Sequence, residues 1–161
     1  MQEILQRKCS TNYPIPNYSI SIEYDPAWLF LFDLNKYYPN FNSWFFKKVI
    51  PDCSIGNRKI IIKKSADQIV AVAILKKSIE ERKICTFRVS ENAKRNGIGK
   101  ELMLESLEWL QCNQPLITVN EENASEFEYF LRKFDFQKQS VLTNLYRPNK
   151  KEIIYNTSCV R

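Results

Sequence analysis

Three β-branched runs, RKIIIKK, QIVAVAILKKS and RKICTFRVS, follow one another between residues 58 and 90, separated only by SADQ and IEE. Val, Ile and Thr suit the pleated, half-buried surface of a sheet, and separators this short close antiparallel hairpins. The spacing predicts a meander over 58 to 64, 69 to 78 and 82 to 90. From Lys100 the apolar period lengthens to about 3.6 residues. Met103, Leu107 and Leu110 then share one face and Glu101, Glu105 and Glu108 another, so a helix follows and ends between Cys112 and Pro115. A chain that lays down three strands and then an amphipathic helix must bury one against the other.

The remaining segments extend that plan. PLITVN reads as a buried strand, and Phe127, Phe130, Leu131 and Phe134 recur at helical spacing behind Asn123 or Ser125 as cap. The stretch FQKQSVLTNLYRPNKKEIIYN holds two more strands around the turn RPNKK. Upstream, residues 26 to 50 mix aromatic and polar side chains, broken by Pro39 and closed by Pro51, which fits two short helices, the second capped by Ser43. Pro14, Pro16 and Pro26 mark residues 1 to 25 as an extended N-terminal segment. The order α, α, β, β, β, α, β, α, β, β describes a single α/β (α+β) domain over 1 to 161, with a mixed, mostly antiparallel central sheet flanked by helices.

Composition removes several function classes. The chain has no histidine, which rules out histidine triads, histidine metal ligands and the commonest general base. Cys9, Cys53, Cys85, Cys112 and Cys159 are scattered without a C-x-x-C pair, so no metal site is expected and reduced thiols are the simplest reading. The net charge is +6, yet residues 58 to 100 hold twelve Lys or Arg against four Asp or Glu, leaving the remainder net acidic. Such a basic tract suits an anionic partner without choosing which. The N-terminus lacks the apolar core of a signal peptide, and WLFLF at 28 to 32 is too short to span a bilayer, so a cytoplasmic location without membrane contact is expected.

The segment KRNGIGKELM contains two of only three glycines in the chain. It lies between the end of a strand and the start of a helix, where unpaired backbone N–H groups and the positive end of the helix dipole favour an anion. Glycine at 97 and 99 permits positive φ or close approach of a phosphate to the backbone. The spacing satisfies neither the Rossmann fingerprint nor the Walker motif, which sets NAD and ATP aside.

The longer stretch VSENAKRNGIGKELM resembles the acyl-CoA-binding motif of the GNAT superfamily of N-acetyltransferases: Gln or Arg, two residues, Gly, one residue, Gly or Ala, after a strand and opening a helix. KKSADQIVAVAILKK resembles the preceding family hairpin, PLITVN the following strand, and NASEFEYFLRKFDF the later helix, so the resemblance covers most of residues 43 to 147. It implies a pyrophosphate loop of Lys94, Arg95, Asn96, Gly97, Ile98, Gly99 and Lys100. It also implies that backbone groups around Phe87, Arg88 and Val89 pair with the pantetheine arm, that this strand splays from Thr118 to Asn120, and that Asn123 contacts the cofactor. The implied cofactor is acetyl-CoA, and the implied reaction is direct attack of a primary amine on its thioester. A small molecule or peptide is the expected acceptor, charged tRNA is the toxin-like variant, and a homodimer is compatible with the family.

Three positions depart from the family pattern. Lys94 stands for Gln or Arg, Asp135 for the glycine before Phe136, and Leu131 for the tyrosine that protonates the departing thiolate. Leu131 lies on the apolar face and reads as core, Tyr129 faces elsewhere, and Tyr146 is the candidate replacement for catalysis. Glu80, Glu81, Glu121 and Glu122 remain open as general bases, and Cys85 reads as a small buried residue rather than a nucleophile. The missing tyrosine also fits a non-catalytic acyl-CoA-binding or interaction module. A plain nucleic-acid binder ranks third, because the basic tract carries no recognition signature.

Overall fold

The computed structural model describes residues 25 to 157, so nearly all of the segment expected to be extended lies outside the described residues. The chain begins with α1 (Asp25–Leu31), which tightens into a 3-10 turn (Phe32–Lys36). An unbroken helical run follows, made of α2 (Phe41–Trp44), a π turn (Phe45–Val49) and α3 (Ile50–Ser54). Asn40 rather than Ser43 occupies its N-cap, without a side-chain cap bond. Pro51 does not close this run as expected. A proline ring clashes with the carbonyl four residues back in an α-helix, and here the π turn widens the coil just before it, with Ile50 N–H bonded to Phe45 O.

The meander appears as β1 (Arg58–Ser65), β2 (Gln68–Lys77) and β3 (Arg82–Val89), then α4 (Ile98–Leu110), β4 (Leu116–Asn120), α5 (Ala124–Arg132), β5 (Lys138–Thr143) and β6 (Lys151–Tyr155). These six strands form one mixed sheet in the order β1-β2-β3-β4-β6-β5, antiparallel throughout except for β3 beside β4. The element order and sheet class agree with the sequence.

Both faces of the sheet are covered. On one face Ala73, Leu75 and Ile84 pack with Leu102, Met103 and Leu110 of α4 and Leu131 of α5. On the other, Val72 and Ile74 meet Leu31, Phe41, Phe45 and Val49. Strand β2 is therefore buried on both sides from Val70 to Leu75, which explains why QIVAVAIL reads as a continuous apolar run instead of alternating. Asp135 adopts φ +58°, the left-handed conformation that its short polar side chain tolerates in place of glycine.

The parallel pair governs the shape of the sheet. β3 and β4 share only Lys83↔Leu116 and Ile84↔Ile117, and beyond Ile84 the ladder ends. At that point the β2–β3 register passes from Leu75↔Ile84 to Ile74↔Thr86, leaving Cys85 as an extra residue in β3. A bulge bends the strand that carries it and raises its twist, and here it coincides with the parting of β3 from β4.

Two expectations about individual residues have opposite outcomes. Leu131 is fully buried in the core, as its place on the apolar face requires. The thiols are not uniformly reduced: Cys112 is disulfide-bonded, whereas Cys85 is a free thiol. Replacing Leu131 with Ala deletes core contacts of both the sheet and α4 and should cost about 2–5 kcal/mol of stability, read as a lower urea midpoint with unchanged slope.

Candidate functional site

Beyond Val89 the chain makes a 3-10 turn (Glu91–Ala93), runs through Lys94, Arg95 and Asn96, and enters α4 at Gly97. Gly97 has φ +82°, and a Cβ there would meet nothing within 4 Å, so glycine is needed for backbone conformation and not for space. Gly99 has no such φ. Its missing Cβ would lie 3.6 Å from both Phe130 Cε2 and Val89 Cγ2, in the gap between the end of β3 and α5. The two glycines thus do different things: one turns the chain and the other keeps a gap open. The first helical bond runs from Glu101 N–H to Gly97 O at 3.0 Å, so the N–H groups of Ile98, Gly99 and Lys100 point into the loop.

The loop cations are not equivalent. Arg95, at φ +66°, and Lys100 are exposed, as is Asn96. Lys94 instead places its Nζ 2.6 Å from Glu91 Oε1 and 2.7 Å from Glu126 Oε1 of α5, joining the loop to the later helix. Partial burial works against its charge, but the two carboxylates outweigh it and raise its pKa.

On β3, Phe87 and Val89 turn toward α5, with Phe87 5.5 Å from the Phe130 ring. Arg88 turns the other way, over Phe30 and 3.4 Å from Asp33. Since the ladder to β4 stops at Ile84, the edge of β3 that faces β4 has no strand partner through Phe87, Arg88 and Val89. Asn123 stands at the N-cap of α5 but makes no side-chain cap bond; its N–H is taken by Asn120 Oδ1 at 2.9 Å, and its side chain is exposed.

A second polar cluster lies at the far end of β4, on the face covered by the N-terminal helices. Glu152 of β6 stands opposite Asn120 in the ladder. It is 1% exposed, and neither carboxylate oxygen has a hydrogen-bond partner. Burial lifts its pKa to about 7, with Arg147 and Lys83 opposing and Glu121 and Glu122 adding to the rise. Tyr38, from the segment before α2, bonds the Asn120 side chain, and burial followed by the field of Glu152 raises its phenol pKa. The Tyr146 ring meets that of Tyr38 edge-on at 5.2 Å, so the tyrosine singled out in the sequence joins this cluster.

Arg147, its neighbour, gives Nη1 and Nη2 to Glu122 at 2.9 and 2.7 Å, and its Nε is buried without a partner. This bidentate bond holds the Glu122 carboxyl down at about 2. The other open acids are also engaged or outlying. Glu121 lies 3.4 Å from Lys150, Glu81 lies 2.7 Å from Lys76, and Glu80 is exposed at a hairpin. Glu152 was not among the sequence candidates. Its signal is a period-two one: in KEIIY the acid shares a strand face with Ile154 rather than with solvent. Cys85 accepts a hydrogen bond from Arg58 Nη1 at 3.0 Å and its thiol pKa is raised by burial, which suits an inert side chain.

A family model described as an acetyltransferase (GNAT) domain matches residues 43 to 144. The chain belongs to the GNAT acetyltransferase family. No curated protein sequence matches it. Solved structures of similar fold include a protein assigned to the GNAT acetyltransferases from Desulfovibrio desulfuricans, 13% identical with a TM-score of 0.57, covering 70% of this chain and 77% of that one. A GNAT family acetyltransferase from Elizabethkingia anophelis with acetyl-CoA bound is 15% identical, with a TM-score of 0.53 and coverage of 69% and 82%. The ribosomal-protein-S18-alanine N-acetyltransferase from Escherichia coli is 17% identical, with a TM-score of 0.52 and coverage of 62% and 68%.

Acetyl-CoA is accordingly the co-substrate of this GNAT domain, and the loop fits its pyrophosphate: three free N–H groups, two exposed cations and a gap that a Cβ at Gly99 would enter. A surface hollow of about 810 Å³ between β1 and α4 lies elsewhere, and its Lys63 and Glu105 neutralise each other at 2.6 Å. Gly99→Ala should weaken acetyl-CoA binding about tenfold, equivalent to about 1.4 kcal/mol. Isothermal titration checks this, and the melting temperature should change little because the contacts at the new Cβ are of ordinary length.

Proposed function

We propose that this GNAT domain is an acetyl-CoA-dependent N-acetyltransferase that modifies a primary amine by direct attack on the thioester. The observation that carries the reading is the parting of β3 from β4 immediately after the bulge at Cys85, beside a glycine-led helix start. When bound, acetyl-CoA supplies an activated acyl group on sulfur. The N–H groups of Ile98, Gly99 and Lys100, with the Arg95 and Lys100 side chains, hold the pyrophosphate. Lys94 and Asn96 border that cradle. The free edge of β3 at Phe87, Arg88 and Val89 takes the pantetheine arm, and the exposed amide of Asn123 is placed to touch it. Backbone amides released by the bulge polarise the thioester carbonyl near the vertex of the splay.

The acceptor approaches the opposite face, past Tyr38 and Tyr146. Tyr146 is the proton donor to the departing thiolate, replacing the tyrosine whose family position Leu131 fills with core. No helix among the described residues is long and apolar enough to cross a membrane. We place the reaction in the cytoplasm.

One observation favours a second reading. Leu131 leaves α5 without a phenol at the usual position, which suits a non-catalytic acyl-CoA-binding module. The two readings separate in a paired experiment. Acetyl-CoA titration should show binding, and mass spectrometry should show an acetyl group on an amine from a panel. Tyr146→Phe should lower kcat by about 100-fold and leave cofactor affinity unchanged. Absence of binding at millimolar acetyl-CoA would sink the cofactor assignment, and binding without transfer would favour the module.

A further inference from the structure

Four buried side-chain polar atoms among the described residues lack a hydrogen-bond partner: Ser90 Oγ, Arg147 Nε and both carboxylate oxygens of Glu152. Three of the four belong to two oppositely charged groups, and the charge of Arg147 is felt at Glu152. Arg147 does not bond Glu152 because its two terminal nitrogens are committed to Glu122, which leaves only Nε turned away from that bond. Leaving a buried carboxylate and a buried guanidinium N–H unbonded is costly, so the pair calls for a bound group that both donates and accepts.

The position of the pair matches the reaction. Thr118↔Ile154 and Asn120↔Glu152 are successive same-face pairs along β4, the strand that forms the far wall of the splay. Both lie on the face opposite α4 and α5, so a group held there reaches the splay from the side away from the cofactor loop. Tyr38 and Tyr146 border the approach, Tyr146 being 40% exposed. Tyr38, Tyr146, Arg147 and Glu152 lie outside residues 43 to 144, so the groups at the heart of the cluster are features of this chain beyond the family match.

We propose that Glu152 and Arg147 Nε receive the α-amine end of a peptide, with the amine on the Glu152 carboxylate, the adjacent carbonyl on Nε, and Glu152 taking the proton of the amine. An α-aminoacyl group is the smallest unit that sets donors and an acceptor oxygen close enough to satisfy both. Glu121, Glu122 and Glu152 there face Arg147, Lys150 and Lys83, so the site offers no excess of cations to a phosphate backbone, which favours a peptide over tRNA.

The inference rests on the N-acetyltransferase reading and completes its proton account. The ammonium passes one proton to the Glu152 carboxylate, and the freed lone pair forms the N–C bond to the acyl carbon. The C–S bond breaks with its electron pair on sulfur. Tyr146 gives its proton to the thiolate and takes up the second nitrogen proton, and Glu152 returns its own to solvent. A carboxyl raised to about 7 suits an α-amine, which titrates near 8, better than a lysine amine near 10.4. The charged groups around it are Arg147, Lys83, Glu121 and Glu122, with the phenol of Tyr38 beside them.

The test compares three probes with acetyl-CoA: an alanyl peptide amide with a free α-amine, an Nα-blocked lysine amide offering only the ε-amine, and n-butylamine. The α-amine should exceed the others at least about tenfold in kcat/KM. Its kcat/KM should fall below pH 7, where Glu152 protonates. Glu152→Gln keeps the shape of the side chain; it should lose about 100-fold in kcat on the peptide, remove the pH 7 limb and leave acetyl-CoA affinity unchanged. Arg147→Lys keeps a cation for Glu122 but removes Nε, so it should raise KM for the peptide and not for n-butylamine. Equal use of the three probes, acetylation of none of them by protein that binds acetyl-CoA, or preference for charged tRNA would each overturn the assignment. So would a wild-type pH profile in Glu152→Gln, and the probe ranking of the unaltered protein decides even if that variant fails to fold. Failure to bind acetyl-CoA would instead remove the N-acetyltransferase reading, and this inference with it.

Discussion

Two ladder positions hold β3 to β4, and the sheet opens after them, which sets the arrangement of the elements on either side. A sheet normally satisfies its own backbone groups. Here the bulge at Cys85 bends one strand away from its parallel neighbour and leaves an unpaired edge inside the molecule, where a bound chain of amide groups can take the place of a strand. The core tolerates the opening because each wall has its own support. β3 is held by β2, which is buried on both faces, and β4 by β6. Helices α4 and α5 close one side of the opening, and the N-terminal helices border the other.

The charged groups divide along the same line. On the α4 side they are basic or neutralised: Arg95 and Lys100 are exposed, while Lys94 is paired twice. On the other side Glu121, Glu122 and Glu152 meet Arg147, Lys150 and Lys83. Between these two clusters, the cations left exposed without a carboxylate partner are thus those of the loop, and the second cluster is close to balance. The uneven charge along the sequence hints at this, since the excess of lysine and arginine ends at residue 100.

The architecture was legible because periodicity records burial. The β-branched runs placed β1, β2 and β3 within one residue and the switch at Lys100 placed the start of α4 within two, while its end, expected between Cys112 and Pro115, falls at Leu110; the G-x-G stretch marked the loop. What could not be read was pairing. The sequence places Lys94 beside the glycines but says nothing of Glu126, thirty-two residues away, which claims its charge. The four glutamates considered as bases lie near strand ends, where acids are easily noticed. Glu152 sits within a strand and looks like an ordinary solvent-facing residue until the sheet order shows that β5 and β4 flank it. Pro51 misled for a related reason, because a π turn leaves no simple periodic trace.

The double bond of Lys94 to Glu91 and Glu126 bears on how an anion enters the loop. An anion that recruits this ammonium must draw it from two carboxylates, which are then left facing the incoming negative charge. Part of the attraction of the loop is thereby cancelled by neighbours that wait to recapture the lysine. The loop cation nearest α5 is therefore already spoken for, and an anion entering the loop meets Glu91 and Glu126 together with Lys94.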